Sequence, residues 1–305
     1  MEVSIVIPLF NEEELVSILY ERTISALTKI TDDFEIVFVD DGGTDNTLNN
    51  LLTIRKTDSR VKVLELSRNF GHQAAYTAGL NVAKGAYVVM LDGDLQDPPE
   101  VIQKMYAKIK EEDFDIIYGK RTDRHENIAK KLTIKIFHYV FNRMNRLHAP
   151  ADVGNFSVIS RPALDAFLRL NEKNRYLPGL RYYIGFKQGC IEYERPERFS
   201  GRPKMGFLKL LRLASDAVFS FSKLPIRLSL LIGTIGILLS LTGAGIVFYK
   251  KITGVAITGW TSTMLGMFFF GSVQLFFLGI LGEYVFRIFI ETKDRPVYFI
   301  RKFYE

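Results

Sequence analysis

Asp92 and Asp94, separated by Gly93, are the carboxylates best placed to do chemistry. They follow an apolar run, Ala86-Tyr87-Val88-Val89-Met90-Leu91, that reads as a buried strand. The pair therefore sits where a strand runs out into a loop, and Gly93 lets the backbone turn and a ligand approach closely. Hard oxygen donors in this pattern suit Mg²⁺ or Mn²⁺, with the rest of the shell left to water and phosphate oxygens. A cation held there can hold a diphosphate. Taken alone, the same three residues also fit a solvated acidic turn.

The elements upstream decide between these readings. Val3–Pro8, Phe34–Val39, Val61–Leu66 and Tyr87–Leu91 read as strands. Helices are expected over Glu12 to about Ile30, from a cap at Thr44 or Asp45 to about Asp58, and over Gln73–Ala83. Strands alternating with helices imply an α/β fold with a mostly parallel sheet covered on both faces. Ligands of such sheets bind beyond the carboxyl ends of the strands. Phe10, Asp40, Asp41, Asp92 and Asp94 all fall there, and that convergence outweighs any one motif.

The chain carries a net charge of +6 over 305 residues, unevenly distributed. No charged residue lies between Arg227 and Lys250, and none between Lys251 and Glu283. Residues 228–249 and about 264–287 are each long and apolar enough to span a bilayer as helices. Lys204, Lys209, Arg212, Lys223 and Arg227 precede the first; Arg287, Lys293, Arg295, Arg301 and Lys302 follow the end of the second or lie in its last turns. The connecting loop has only Lys250 and Lys251. By the positive-inside rule, residues 1–205 and the tail 291–305 face the cytoplasm. Between them, Phe207, Leu210, Leu211, Ala214, Val218 and Phe221 recur at helical spacing, which fits either an interfacial helix over 206–227 or an ordinary core-facing one. The chain opens directly on a strand, so no signal peptide is expected. The positive charge suits anionic lipid and phosphate better than nucleic acid, since no base-reading motif is present. The single cysteine, Cys190, excludes an internal disulfide and a cysteine-rich metal site.

Several motifs in order carry a resemblance. Ile5-Val6-Ile7-Pro8-Leu9-Phe10-Asn11-Glu12, Asp40-Asp41-Gly42-Gly43-Thr44-Asp45, Arg68-Asn69-Phe70-Gly71-His72-Gln73, the Asp92–Glu100 stretch, and Leu281-Gly282-Glu283-Tyr284 with Arg295-Pro296-Val297-Tyr298 resemble glycosyltransferase family 2. The chain is most similar to its polyprenyl-phosphate branch, the bactoprenol glucosyltransferases and dolichol-phosphate mannosyltransferases. The resemblance implies a GT-A catalytic domain, a nucleotide-sugar donor, a divalent cation and transfer of a hexose to a lipid phosphate. It implies that Pro8, Phe10, Glu12 and Asp41 line the nucleoside and that Asp92, Asp94 and Gln96 hold metal and diphosphate. Arg121 and Lys131 would meet the acceptor phosphate, Arg202 and Lys204 would close over the diphosphate, and Asp152 would be the catalytic base or an orienting group. A phosphate monoester is largely a dianion at neutral pH and needs little deprotonation. His72 has no paired Ser or Cys nucleophile and reads as a local hydrogen-bonding residue.

Three positions depart from the family pattern: Gly43 for a usual Ser, Asn155 for a frequent Asp and Pro203 for a frequent Ser. They leave the donor open. UDP-glucose is preferred from the two-span architecture, with GDP-mannose and UDP-linked aminosugars as alternatives. A processive polysaccharide synthase would carry more spans and a Gln-x-x-Arg-Trp motif, whereas the one tryptophan, Trp260, lies between the spans. A catalytically inert membrane module that binds nucleotide sugar or lipid is the reading from another class. A homo-oligomer is left open.

Overall fold

Each strand of the first four is an almost unbroken apolar run, and that composition demands cover on both faces. In the computed structural model, which describes residues 1–121, 153–173, 175–194, 224–253 and 259–305, they receive it. Strands β1 (Val3–Leu9), β2 (Phe34–Asp40) and β3 (Val61–Leu66) are buried along their length apart from the half-buried Lys62. Helices α1 (Val16–Leu27), α2 (Thr47–Thr57) and α3 (His72–Val82) alternate with them and lead to β4 (Tyr87–Met90). After α4 (Val101–Glu111) come β5 (Ile116–Arg121), β6 (Val153–Ser160), α5 (Arg161–Leu168), α6 (Leu177–Tyr183) and β7 (Gln188–Tyr193). The expected helix start at Thr44 or Asp45 lies slightly later: Asn46 precedes the helix, and Asp45 accepts the Thr47 N–H at 3.0 Å.

Among the described residues the sheet runs β7-β5-β6-β4-β1-β2-β3-β8, where β8 is Ile300–Tyr304. The β1, β2, β3 and β4 pairings are parallel, as is β5 with β7, while β6 and β8 run antiparallel to their neighbours. Chain order reverses at β1, which has β2 on one side and β4 on the other, so the crevice of a switch point opens between the ends of β1 and β4. Register brings the exits together: Leu9 pairs with Asp40, the Asp41 N–H donates to Leu9 O at 2.9 Å, and the Leu91 N–H donates to Val6 O at 3.1 Å.

Strand β8 comes from the segment read from sequence as a tail. It is rich in residues that favour strands, and Glu65 of β3 anchors it through the Tyr304 hydroxyl at 3.1 Å and Arg301 at 3.2 Å. Its exposed basic residues protect the sheet edge from pairing with another chain.

The described residues divide into two units, the sheet with its helices and a C-terminal pair of helices. The pair is α7 (Leu224–Ile252) and α8 (Trp260–Thr292). One stretch, Phe269–Thr292, is long and apolar enough to cross a membrane, and a shorter apolar stretch covers Leu231–Gly243. The first spans about 36 Å as a helix, more than a bilayer's hydrocarbon core of about 30 Å. Leu275, Phe276, Leu278, Leu281 and Ile288 of α8 are exposed, the reverse of a soluble core helix. Of the two expected spans, therefore, only the second meets the length and composition criterion among the described residues. Segment 206–222 lies outside the described residues.

At the amino-terminal ends of the central strands, opposite the switch-point crevice, Glu35 of β2 is fully buried. It pairs with Lys62 at 2.6 Å and accepts from Ser4 Oγ and the Lys84 N–H, both at 2.6 Å. Burial alone would raise its pKa, but the Lys62, Ser4 and Lys84 donors outweigh it and hold it low. A depressed folded pKa gives stability that is full above the unfolded value and is lost as pH falls. Glu35→Ala is expected to cost about 3–5 kcal/mol by stranding Lys62. Thermal melts should show a gap between wild type and variant that is full near neutral pH and closes below the ordinary glutamate pKa of about 4.3. A gap that persists undiminished in acid would contradict this assignment.

Candidate active site at the carboxyl edge of the sheet

The site is assembled from three loops that leave parallel strands. The loops after β1 and β2 are stitched together by polar side chains. Asn11 accepts the Thr44 N–H at 2.8 Å, Asp45 accepts the Glu13 N–H at 3.1 Å, and Glu13 accepts the Asn46 N–H at 2.8 Å. The Glu12 N–H donates to Thr47 Oγ1 at 2.9 Å, which fixes Glu12 against the start of α2. Phe10 and Glu12 are half-buried at this rim, and Pro8 is buried within β1.

Asp41 lies next to them and is 3% exposed. Its two oxygens accept the backbone N–H groups of Phe70 at 2.8 Å and Gly71 at 2.9 Å. Burial raises its pKa, and these two bonds offset only part of that. Each carboxylate oxygen has a second lone pair, so an outside N–H can still be accepted. The loop it holds is braced from the far end of the chain. Ser67 N–H donates to Phe299 O at 2.9 Å, the Phe70 and Phe299 rings lie 6.1 Å apart, and the Arg68 guanidinium sits 4.1 Å over Phe70. The neighbouring Asp40 is pushed up to about 6 by burial and the nearby carboxylates of Glu65, Asp45 and Asp41, although the Gly43 N–H pulls the other way.

The third loop carries Asp92, Asp94 and Gln96. Gly93 is required by close approach: a Cβ there would lie 2.3 Å from Leu9 Cδ2 and 3.0 Å from Pro8 O. The turn after β4 is thus pressed against the exit of β1. The half-buried Asp92 carboxylate accepts the Tyr76 hydroxyl at 2.6 Å, and His72 Nε2 lies 3.0 Å from the same oxygen. An ionised carboxylate only accepts, so His72 Nε2 carries the proton. Burial would raise Asp92, but His72, Tyr76 and the charge of Arg121 outweigh it and hold the carboxyl well below its ordinary range. Asp94 accepts the Gln96 N–H at 3.2 Å, which curls the loop around Leu95 in left-handed backbone at φ 57°.

These are hard oxygen donors held at a strand end, and the set fits Mg²⁺ or Mn²⁺. Among the described residues no three His, Cys, Asp or Glu side chains converge to enclose a metal. A cation bound there would complete its shell with water and phosphate oxygens.

Arg121 ends β5 and is clamped from behind. Its Nη2 lies 3.4 Å from Asp97 Oδ1, its Nε donates to the Tyr193 hydroxyl at 3.2 Å, and Tyr193 donates in turn to Asp97. Asp97 is fully buried. Burial would lower the guanidinium's pKa, but Asp97 and Tyr193 outweigh it and raise it, so Arg121 stays charged. Arg121 and Asp92 are close enough for each to feel the other's charge. Lys131, Asp152, Arg202 and Lys204 lie outside the described residues.

Sequence reasoning missed the residues that hold the others in place. His72 is the local hydrogen-bonding residue expected, but its partner Asp92 was not foreseen. Asp97 stands three residues beyond Asp94 and was open to the same reading. Tyr76 and Tyr193 carry no local signal, because only the folded chain brings them to Asp92 and Arg121.

The Asp97 clamp predicts a coupled pair of effects. Asp97→Asn should destabilise by about 3 kcal/mol, because it leaves a buried guanidinium uncompensated. Tyr193→Phe should cost about 1 kcal/mol. The double variant should cost measurably less than the sum in denaturant melts, since both act on one network. Strict additivity would show that the three groups are not one unit.

The unit's mostly parallel sheet is GT-A-like. The glycosyl transferase family 2 model matches residues 4–168. Glycosyltransferase YkcC of Bacillus subtilis is 40% identical over 100% of this chain and 94% of its own. A prophage bactoprenol glucosyl transferase homolog of Escherichia coli is 34% identical over 99% of both chains. Among solved structures, glucosyl-3-phosphoglycerate synthase from Mycobacterium tuberculosis covers 72% of this chain and 77% of its own at 16% identity and a TM-score of 0.49, a likeness too slight to bear on ligands. The family match and the full-length relatives agree with the motifs at the three strand ends: the chain belongs to glycosyl transferase family 2.

Proposed function

We propose that this chain is an inverting glycosyltransferase that moves glucose from UDP-glucose to a polyprenyl phosphate at the cytoplasmic face of a membrane. The observation that carries this reading is the full-length likeness to a chain named as a bactoprenol glucosyl transferase homolog, which includes the C-terminal helices as well as the sheet unit. The gathering of Asp41, Asp92 and Asp94 at one sheet edge supports a nucleoside diphosphate as the donor's handle.

In this reading Pro8, Phe10, Glu12 and Asp41 line the nucleoside, Phe10 by stacking and Asp41 by accepting a ring N–H. Asp92, Asp94 and Gln96 hold the diphosphate end. A divalent cation bound by them supplies Lewis-acid stabilisation of the departing diphosphate. Arg121, fixed in its charged state, meets the acceptor phosphate, together with Lys131. Arg202 and Lys204 cover the diphosphate. An acceptor oxygen attacks C1 of the sugar, the bond from C1 to the nucleoside diphosphate breaks, and configuration inverts. The acceptor is already largely a dianion, so Asp152 has little proton to remove and its role is to orient or to take the last proton. Most of the rate comes from positioning and charge stabilisation.

Helices α7 and α8 serve as two spans, with the sheet unit and C-terminus on the side that the Lys and Arg excess marks as cytoplasmic. The test is transfer of radiolabelled sugar into solvent-extractable lipid by the detergent-solubilised full chain, with UDP-glucose, GDP-mannose and UDP-linked aminosugars supplied in turn. UDP-glucose with polyprenyl phosphate should give labelled lipid, and Asp94→Asn should lower the rate at least about a hundredfold. Labelled lipid from GDP-mannose alone would move the donor assignment. Nucleotide-sugar binding without transfer from any donor would favour an inert binding module.

A further inference from the structure

Arg181 of α6 heads the large side chains that are fully buried, with 2% of its surface exposed. It donates from Nη1 to Asn155 O at 3.4 Å and from Nη2 to Gly154 O at 3.2 Å, and its guanidinium lies 5.4 Å from the Tyr118 ring centroid. Among the described residues no carboxylate pairs with it. Its Nε and the neighbouring Asn155 Oδ1 are both buried without a hydrogen-bond partner among those residues. Burial pulls its pKa down to about 10, which still leaves it charged at neutral pH.

A buried charge without a counter-charge is costly, and a buried polar atom without a partner calls for a reason. The location supplies one. Gly154 lies between two arginines: Arg181 holds its carbonyl, while Arg121 Nη2 sits 2.9 Å from where its Cβ would be. Asp97 is the one acid paired with this couple among the described residues, and it is committed to Arg121 and Tyr193. Among the described residues, Arg181 is therefore left without a paired carboxylate at the first residues of β6.

We infer that Arg181 is a positioning residue for the anionic acceptor: it pins the opening of β6 through the Gly154 and Asn155 carbonyls and leaves there a positive charge, unpaired among the described residues, that the acceptor phosphate neutralises. This rests on the proposed lipid-phosphate acceptor and adds a second arginine to the side of the site that Arg121 defines. Arg181 does not touch the reacting atoms. It acts through the backbone that carries the acceptor-side residues and through its field, which is weakly screened at this depth.

The test is direct binding to the detergent-solubilised full chain, with farnesyl monophosphate and UDP-glucose as separate probes. Arg181→Gln should weaken farnesyl monophosphate about tenfold and leave UDP-glucose within about twofold, because one charge-assisted interaction is removed from one side of the site. Arg181→Lys, which keeps the charge, should recover part of the loss. Arg181→Met, close in volume and without charge, should keep or raise the melting temperature while losing the same affinity, since a buried unpaired charge is removed. Equal weakening of both probes, or a lower melting temperature with farnesyl monophosphate affinity unchanged, would overturn the inference and leave Arg181 a packing residue. If Arg181→Gln does not fold, Arg181→Lys decides: it should bind farnesyl monophosphate measurably more weakly than wild type, and equal binding overturns the inference. A wild type that binds no prenyl phosphate would overturn this inference and the acceptor assignment together. A wild type that binds it, beside variants that bind it equally well, would overturn this inference alone.

Discussion

Burial of both faces of a parallel sheet is the constraint on which the rest of this structure depends. β1, β2 and β3 are covered on both sides, and ionised groups have almost no place along them. Those that do sit there are paired: Glu35 with Lys62, Ser4 and the Lys84 N–H, and Glu65 with Arg301 and Tyr304. Charges are otherwise driven to the strand ends, and parallel direction puts the ends of β1, β2 and β4 on one edge. Asp41, Asp92 and Asp94 are neighbours for that reason, although Asp41 and Asp92 are distant in sequence.

The edge then has to keep its acids usable. Asp92 is held ionised by a protonated ring nitrogen and a phenol, and Asp41 is fixed in place by two backbone N–H groups of a loop braced by Phe299. On the other side of the sheet, Asp97 and Tyr193 hold Arg121 charged in a buried position. Acids cluster where β1, β2 and β4 end, and cations where β5 and β6 meet. This division suits a reaction that brings a metal-bound diphosphate and a free phosphate to opposite faces of one sugar carbon, and the fixed groups need no reorganisation as charge moves.

The main chain of this arrangement was legible because it is local. Continuous apolar runs gave the first four strands, and the two-residue spacing of Asp92 and Asp94 gave the site its centre. The side chains that tune the site were not legible. Tyr193 reaches Asp97 from β7, Arg181 reaches β6 from α6, and neither contact leaves a periodic trace in sequence. Strand β8 was hidden because Arg301 and Lys302 make the segment look like a solvated tail, whereas Glu65 gives Arg301 a partner at the sheet edge. Asp97 lies within the Asp92–Glu100 stretch, but its partners Arg121 and Tyr193 come from β5 and β7, so its role as a clamp shows only in the fold. Lys131, Asp152, Arg202 and Lys204 stand outside the described residues, so their roles rest on the family resemblance, and the 206–222 segment, also outside them, rests on its helical spacing alone.

The central claim is that the turn after β4 seats a cation that in turn seats a nucleoside diphosphate. Calorimetric titration of UDP into the full chain, with Mn²⁺ and then with chelator, tests it most directly. The account predicts that Mn²⁺ tightens UDP at least about tenfold, and that Asp92→Asn and Asp94→Asn each abolish the difference. UDP affinity that is the same in chelator as in Mn²⁺ would contradict it.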